Sequence, residues 1–344
     1  MKPLAGAALG ALAGYALTRL LQPKVTFKNK GVLVTGGSKG LGLLLARRFA
    51  AEGARVALLA RRDAELERAG KSLYDRYGVL PLTLPCDVRD EAALTSAVAQ
   101  VAATLGGLDV LVNNAGVIQV GPFENLSNED FEDALATHLW GPLYAVRAAL
   151  PFLKRSPLPR VVNVASIGGK VAVPHLSSYS ASKFALVGLS DALRAELAPY
   201  GVRVTTVCPW LIRTGSHYNV QVKGDYAKEF TLFALGDSLP LVSMSAERAA
   251  DRIVEACRRG QARLVLAPQG RAALLASELL PELSAAGLKL VSSLLPSPDP
   301  DGFEARRGWE VKADTPLVPS LLTRLSDRAG ARNNETPQGS ADAS

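Results

Sequence analysis

Residues 31–51 read GVLVTGGSKGLGLLLARRFAA. A short apolar, β-branched run, Gly31–Thr35, passes directly into Gly36-Gly37-Ser38-Lys39-Gly40-Leu41-Gly42, and a helical pattern follows over Leu41–Ala51. Glycines let a backbone turn tightly and approach a pyrophosphate. The N-terminus of the next helix supplies free N–H groups and the positive end of its dipole. A glycine cluster alone is a weak sign, but a strand before it and a helix after it give the expected context. The next strand, Arg55–Ala60, ends at Arg61-Arg62. An NAD site usually presents an acid to the ribose 2′-OH about twenty residues beyond the glycines. Arg61 stands there instead, and Lys39 sits within the loop. Two cations suit a 2′-phosphate, so NADP(H) is the expected cofactor. The plainer alternative is that Arg61 and Arg62 are the solvated start of the next helix.

Outward from this point the pattern repeats. Apolar runs at Val79–Pro85, Leu108–Val112, Arg160–Val164, Val202–Cys208 and Arg263–Ala267 add strands to the first two. Helical patterns lie between them at Ala64–Tyr77, Glu91–Leu105, Asn128–Leu153, Ser178–Ala198 and Ala246–Arg259. Continuously apolar strands alternating with helices indicate a parallel sheet covered on both faces. The expected fold is therefore α/β, a Rossmann-like, doubly wound, seven-stranded parallel sheet in a single domain over residues 28–270. Composition permits such a core, with 48% hydrophobic and 21% charged residues. The net charge of +7 is modest and scattered, which argues against a nucleic-acid partner. Cys86, Cys208 and Cys257 sit in apolar contexts and read as reduced, buried thiols. With three histidines and no His/Cys cluster, no metal is expected.

The two ends differ from the middle. Residues 4–21 form an Ala/Leu/Gly-rich run whose only charge is Arg19. As a helix it would span about 27 Å, close to a bilayer's hydrocarbon thickness. Gly6, Gly10 and Gly14 have the spacing that lets membrane helices approach closely. Lys24, Lys28 and Lys30 follow it, so residues 1–24 read as a membrane anchor with the rest on the cytoplasmic side. A secretory signal and a soluble packed helix are the alternatives. Residues 271–325 read as a C-terminal helical extension, in which the apolar-rich helical pattern 271–295, interrupted at Pro281, is a cap over the core, an oligomer contact or a membrane-surface helix. Residues 326–344 are polar and read as a disordered tail.

Tyr179-Ser180-Ala181-Ser182-Lys183 places a phenol and an ammonium on one face of a helix. A nearby ammonium favours the phenolate and lowers a phenol's pKa from about 10 toward the working range of a general acid/base. Ser166 lies just past the predicted strand Arg160–Val164, where ligand sites of open α/β sheets are found.

With these residues the sequence resembles the short-chain dehydrogenase/reductase family. The matching motifs are Thr35–Gly42 (TGxxxGxG), Cys86-Asp87-Val88, Asn113-Asn114-Ala115-Gly116, Asn163-Val164-Ala165-Ser166, Tyr179–Lys183 (YxxxK) and Pro209–Thr214. They follow the family's order and spacing over about residues 30–270. The resemblance implies that Tyr179 exchanges the proton with the substrate oxygen, Ser166 hydrogen-bonds that oxygen, and Lys183 holds the nicotinamide ribose. It also implies that Asp87 and Val88 flank the adenine, Asn114 lies near the cofactor, and Ile212 and Thr214 meet the carboxamide. A homodimer or homotetramer is expected on the same ground.

Two positions depart from the family pattern. His138 stands where the family has a catalytic Asn that holds a relay water; it either serves that relay or packs between helices. Trp210 replaces the small residue of a Pro-Gly turn and either alters the pocket or walls it. Tyr218, Tyr226, Phe230, Phe233 and Leu235 populate the segment that usually forms the substrate lid, which suggests a lipophilic ketone or alcohol of lipid, steroid or long-chain acyl type. Two other functions are weighed against a hydride-transferring enzyme. One is a catalytically impaired NADP(H)-binding sensor or scaffold. The other is a sugar-nucleotide epimerase or dehydratase, whose usual TGxxGxxG spacing the loop does not have.

Overall fold

The computed structural model describes residues 25–239, 243–312, 315 and 323–336. Its seven main strands are β1 (Gly31–Thr35), β2 (Arg55–Ala60), β3 (Leu82–Pro85), β4 (Val110–Asn113), β5 (Arg160–Val164), β6 (Arg203–Cys208) and β7 (Arg263–Val265). They form one parallel sheet in the order β7-β6-β5-β4-β1-β2-β3. The chain starts in the middle and winds outward in both directions, so the connections leaving β1 and β4 run opposite ways, and it is beyond the carboxyl ends of these two strands that such a sheet forms its ligand crevice. β3 begins later than its apolar run, because Pro81 cannot donate to a ladder.

The longer helices are α1 (Gly40–Ala51), α2 (Asp63–Tyr77), α3 (Glu91–Thr104), α4 (Asn128–Leu135), α5 (Gly141–Leu153), α6 (Ser177–Glu196), α7 (Tyr226–Ser238), α8 (Ala246–Arg259), α9 (Pro268–Leu279), α10 (Pro281–Ser293) and α11 (Arg324–Arg332). Alternate strand residues serve opposite layers. Val32, Val34, Leu58, Val112 and Val162 pack with Leu43, Leu45 and Phe49 of α1 and Ile253 of α8. Leu33, Leu59, Leu111 and Val161 pack with Leu94 and Val98 of α3 and Val146 of α5. Phe49 is fully buried, edge-on to Phe27 at 4.9 Å, and its loss would cost about 3–5 kcal/mol. Gly42 fixes the fit of α1 on the sheet, since a Cβ there would collide with the Gly36 carbonyl.

Three sequence expectations change. The helix expected over Asn128–Leu153 is interrupted by a π turn, Ala136–Trp140, which contains His138. The stretch 271–295 is not a cap over the core: α9 and α10 bury only Gly270 and leave Leu279, Leu283, Leu290 and Leu294 exposed, whereas Val311, later in the extension, is buried. The polar tail is not disordered through residue 336, for α11 packs with Ser326, Ala329 and Gly330 buried. Its stability comes from hydrogen bonds to distant residues, which composition does not reveal. The anchor expected over residues 1–24 lies outside the described residues. Among the described residues, no helix is long and apolar enough to cross a membrane.

Candidate active site

Ser166 follows β5 and opens a 3-10 turn, its Oγ accepting from Gly168 N at 3.0 Å. α6 carries Tyr179 and Lys183 one turn apart. Tyr179 is half-buried, and its hydroxyl is hydrogen-bonded with Ser166. Lys183 is buried; its Nζ donates to Val164 O at 3.0 Å and lies 5.6 Å from the Tyr179 ring centroid. The corner is braced from β4: Asn113 donates to Asn163 at 2.9 Å, and Asn163 donates to Ser190 of α6 at 3.0 Å. The structure thus brings together the three residues that the YxxxK motif and the strand end single out.

The electrostatics differ from the sequence expectation. Burial pushes the Tyr179 phenol up, opposed by its bond with Ser166, and burial pushes the Lys183 ammonium down to about 7. Removing both charged forms from water outweighs their mutual attraction, so the neutral phenol is the resting form.

His138 is buried and pinned at both ring nitrogens. Nε2 accepts from Val117 N at 3.2 Å, so the proton sits on Nδ1 and is donated to Ser182 Oγ at 2.8 Å. Ser182 Oγ in turn donates a hydrogen bond to the Tyr179 carbonyl at 2.9 Å. The ring meets the Tyr179 ring edge-on at 5.5 Å. Burial holds its pKa well below the ordinary value. Of the two readings the geometry fits packing; with both nitrogens taken, neither is left to hold a relay water. Trp210 lies against Gly270 at the start of α9, within 3.5 Å of where a Cβ would stand.

At the other end of the crevice, Asn114 serves the glycine loop. Its Nδ2 donates to Thr35 O and Gly36 O, both at 3.2 Å. α1 has Lys39 as N-cap with no side-chain cap, which suits an anion at its first turn. Glu65, which the sequence reading missed, gathers the polar groups of this end. It accepts from Ser38 Oγ at 3.2 Å, Lys39 Nζ at 3.4 Å and Arg62 Nη1 at 2.8 Å. The Arg62–Glu65 spacing of three on a helix start was the available signal. Arg61 is exposed. Asp87 is engaged with Arg89 at 2.6 Å, and Val88 is buried where a Cβ on Gly141 would touch it. Leu41 packs on the core. Ile212 starts a short strand paired with Met244, and Thr214 Oγ1 accepts from Ser216 N at 3.1 Å.

The expected aromatic lid is split between interior and surface, with Tyr226, Phe233 and Leu235 half-buried. Tyr218 and Phe230 are buried, and Phe230 forms a satellite core with Val120, Val220, Val222 and Val311. An apolar groove lined by Val173, Pro174, Ala181, Phe184 and Leu288 lies on the face of α6 away from Tyr179 and Lys183.

Residues 30–223 match the short chain dehydrogenase family. The chain is 33% identical over 243 residues to a dehydrogenase/reductase SDR family protein 7-like of Anopheles gambiae, covering 70% of this chain and 75% of that protein. It is 31% identical to dehydrogenase/reductase SDR family member 7B of Bos taurus, covering 77% and 82%. Among solved structures, a short-chain dehydrogenase from Streptomyces avermitilis superimposes with a TM-score of 0.64 at 30% identity, covering 77% and 98%. An L-sorbose reductase of Gluconobacter frateurii, solved with NADPH and L-sorbose, gives 0.63 at 26%, covering 71% and 97%. Sheet order, motif placement and these matches agree, and the chain belongs to the short-chain dehydrogenase/reductase family of nicotinamide-dependent oxidoreductases acting on carbonyl and alcohol groups.

Proposed function

We propose that this protein is an NADP(H)-dependent oxidoreductase in which Tyr179 is the acid/base. The observation that carries the reading is the Tyr179–Ser166 hydrogen bond at the carboxyl edge of β5, beside Lys183. Bound NADP(H) would supply or accept the hydride at the substrate carbon. In the reducing direction Tyr179 gives its hydroxyl proton to the carbonyl oxygen as the alkoxide forms, and Ser166 donates a second hydrogen bond to that oxygen. A resting phenol raised by burial starts this step in its proton-bearing form. Lys183 would turn from Val164 O toward the nicotinamide ribose. His138, joined to Tyr179 through Ser182, is a positioning residue rather than a proton carrier.

At the adenosine end Ser38, Lys39, Arg61 and Arg62 would hold the 2′-phosphate, with Gly36, Gly40, Leu41 and Gly42 forming the pyrophosphate loop. Asp87 and Val88 would lie beside the adenine, Asn114 would brace the loop, and Ile212 and Thr214 would face the carboxamide. The absence of an acid at the end of β2, together with these cations, supports NADP(H) over NAD(H). A lipophilic substrate is supported by Ile118, Leu176 and Phe233, half-buried beside the satellite core. Residues 1–24 would tether the enzyme to a membrane; loss of sedimentation with membranes on deleting them tests this.

Titration with NADPH and NADH, followed by a screen of carbonyl compounds for cofactor oxidation, tests the main reading. NADPH should bind at least about tenfold tighter, as expected from one charge-assisted contact of roughly 1.5–3 kcal/mol. Equal affinity would refute the 2′-phosphate assignment. Tight binding with no turnover across the panel would favour a sensor.

A further inference from the structure

The C-terminal residues beyond α11 run into the crevice described above. Gly40 N, at the head of α1, donates to Asn333 O at 2.8 Å. Asn333 Nδ2 donates to Thr214 O at 3.3 Å on the opposite wall. Asn334 Nδ2 donates to Ser38 O at 2.9 Å and to Glu65 O at 3.0 Å, while Arg68 Nε donates to Asn334 Oδ1 at 2.7 Å. Asn219 Nδ2 donates to Glu335 O at 2.9 Å and to its carboxyl at 2.6 Å. Three consecutive residues therefore bridge the glycine loop and the segment after Ile212, the two walls between which a dinucleotide would lie.

The glycine pattern says what this stretch displaces. In such loops one glycine serves the turn, one serves helix packing, and one leaves room for the pyrophosphate. Gly42 is the packing glycine, since its Cβ would strike Gly36 O. Gly40 has positive φ, and a Cβ there would strike the Glu335 carboxyl before any other atom. The room that the second glycine keeps is occupied by this chain's own side chain.

We propose that residues 333–335 are an internal occupant of the cofactor crevice, a plug that the nicotinamide cofactor must displace in order to bind. The inference rests on the assignment of the glycine loop to the pyrophosphate, not on the preference for NADP(H). The plug is held by hydrogen bonds and the attraction of Lys39 and brings no large apolar side chain to the loop, so phosphate oxygens can replace its contacts. Its carboxyl is buried, and burial pushes it up to about 7 against the pull of Lys39. The hinge is α11, which stays anchored: Tyr218 donates to Asp327 at 2.5 Å, Ser326 donates to Asp237 at 3.0 Å, and Gly330 lies against Gly215. Residues 333–335 can leave while α11 remains.

The test is NADPH and NADH affinity by calorimetry for the full chain, for truncation after Thr336, and for truncation after Arg332. Removing 337–344 should change nothing, and removing 333–344 should tighten binding about tenfold, the gain when the open form is roughly a tenth of the population. A synthetic peptide spanning 324–336 should weaken binding to the shorter protein again. Should that truncation fail to fold, Glu335→Ala and Asn334→Ala should each tighten binding in the full chain. Amide exchange at 333–336 should speed up when NADPH is added. Unchanged or weaker affinity on truncation, or slower exchange with cofactor, would overturn the plug and make these residues a wall of the site. Failure of every form to bind either cofactor would overturn it as well. Tighter binding on truncation with NADH preferred throughout would leave the plug standing and refute the NADP(H) assignment instead.

Discussion

The two ends of the crevice are built by opposite means. At the catalytic end, Ser166, Tyr179, Lys183 and His138 are set by β5, α6 and the π turn, and their polar atoms are satisfied by one another and by close neighbours such as Val117, Val164, Gly168 and Ser182. At the cofactor end, Ser38, Lys39 and Arg62 converge on Glu65, and the remaining polar contacts come from Asn219, Asn333 and Asn334. The first end is preformed by packing. The second is held together by exchangeable hydrogen bonds and partly exposed ion pairs, which are individually weak. Chemistry that needs fixed geometry sits on the rigid part, and binding that needs displacement sits on the part that can reorganise.

That contrast can be broken most sharply at the catalytic end. Tyr179→Phe should lower turnover by about 10²–10⁴-fold, the usual worth of a positioned acid/base, with NADPH affinity unchanged by titration. At the cofactor end the effect should appear in binding instead. Arg61→Ala should raise the NADPH dissociation constant by about tenfold to a hundredfold and leave NADH affinity alone. A loss of turnover at saturating NADPH would blur the division between the ends.

Smaller effects sharpen the same contrast. His138→Ala orphans Val117 N and takes away the donor to Ser182 Oγ, which should cost about 1–3 kcal/mol in stability measured by denaturant unfolding. His138→Gln, which can still accept from Val117 N, should recover part of that loss, whereas a relay role would leave turnover unrecovered. Lys183 offers a test through pH. Its pKa falls from about 10.4 in the unfolded chain to about 7 in the folded one. Between those values the unfolded chain binds more protons, so stability rises with pH. The penalty of the buried ammonium is complete below about pH 7 and is relieved as pH approaches 10. The cofactor-free melting temperature of the wild type should therefore climb relative to Lys183→Met over that range.

The sequence carried the sheet almost whole, because continuously apolar strands and amphipathic helices are local patterns. Ser166, Tyr179 and Lys183 were legible for the same reason, one lying at a strand end and two on one helix face. Glu65 was half legible, since its spacing from Arg62 is local but its hold on Ser38 and Lys39 spans a loop. The tail was not legible. Asn333, Asn334 and Glu335 look like any polar terminus, and their partners Ser38, Gly40 and Thr214 lie far away in the chain. The raised phenol of Tyr179 was hidden too, for charge proximity reads from spacing, whereas desolvation depends on everything packed around the pair.

The most direct measurement is a crystal structure of the full chain with NADP⁺ bound. The nicotinamide should lie beside the Tyr179 hydroxyl, the 2′-phosphate should contact Arg61 or Lys39, and residues 333–335 should have left Gly40. A dinucleotide bound away from Tyr179, with its glycine loop still holding Glu335, would contradict both the catalytic assignment and the plug.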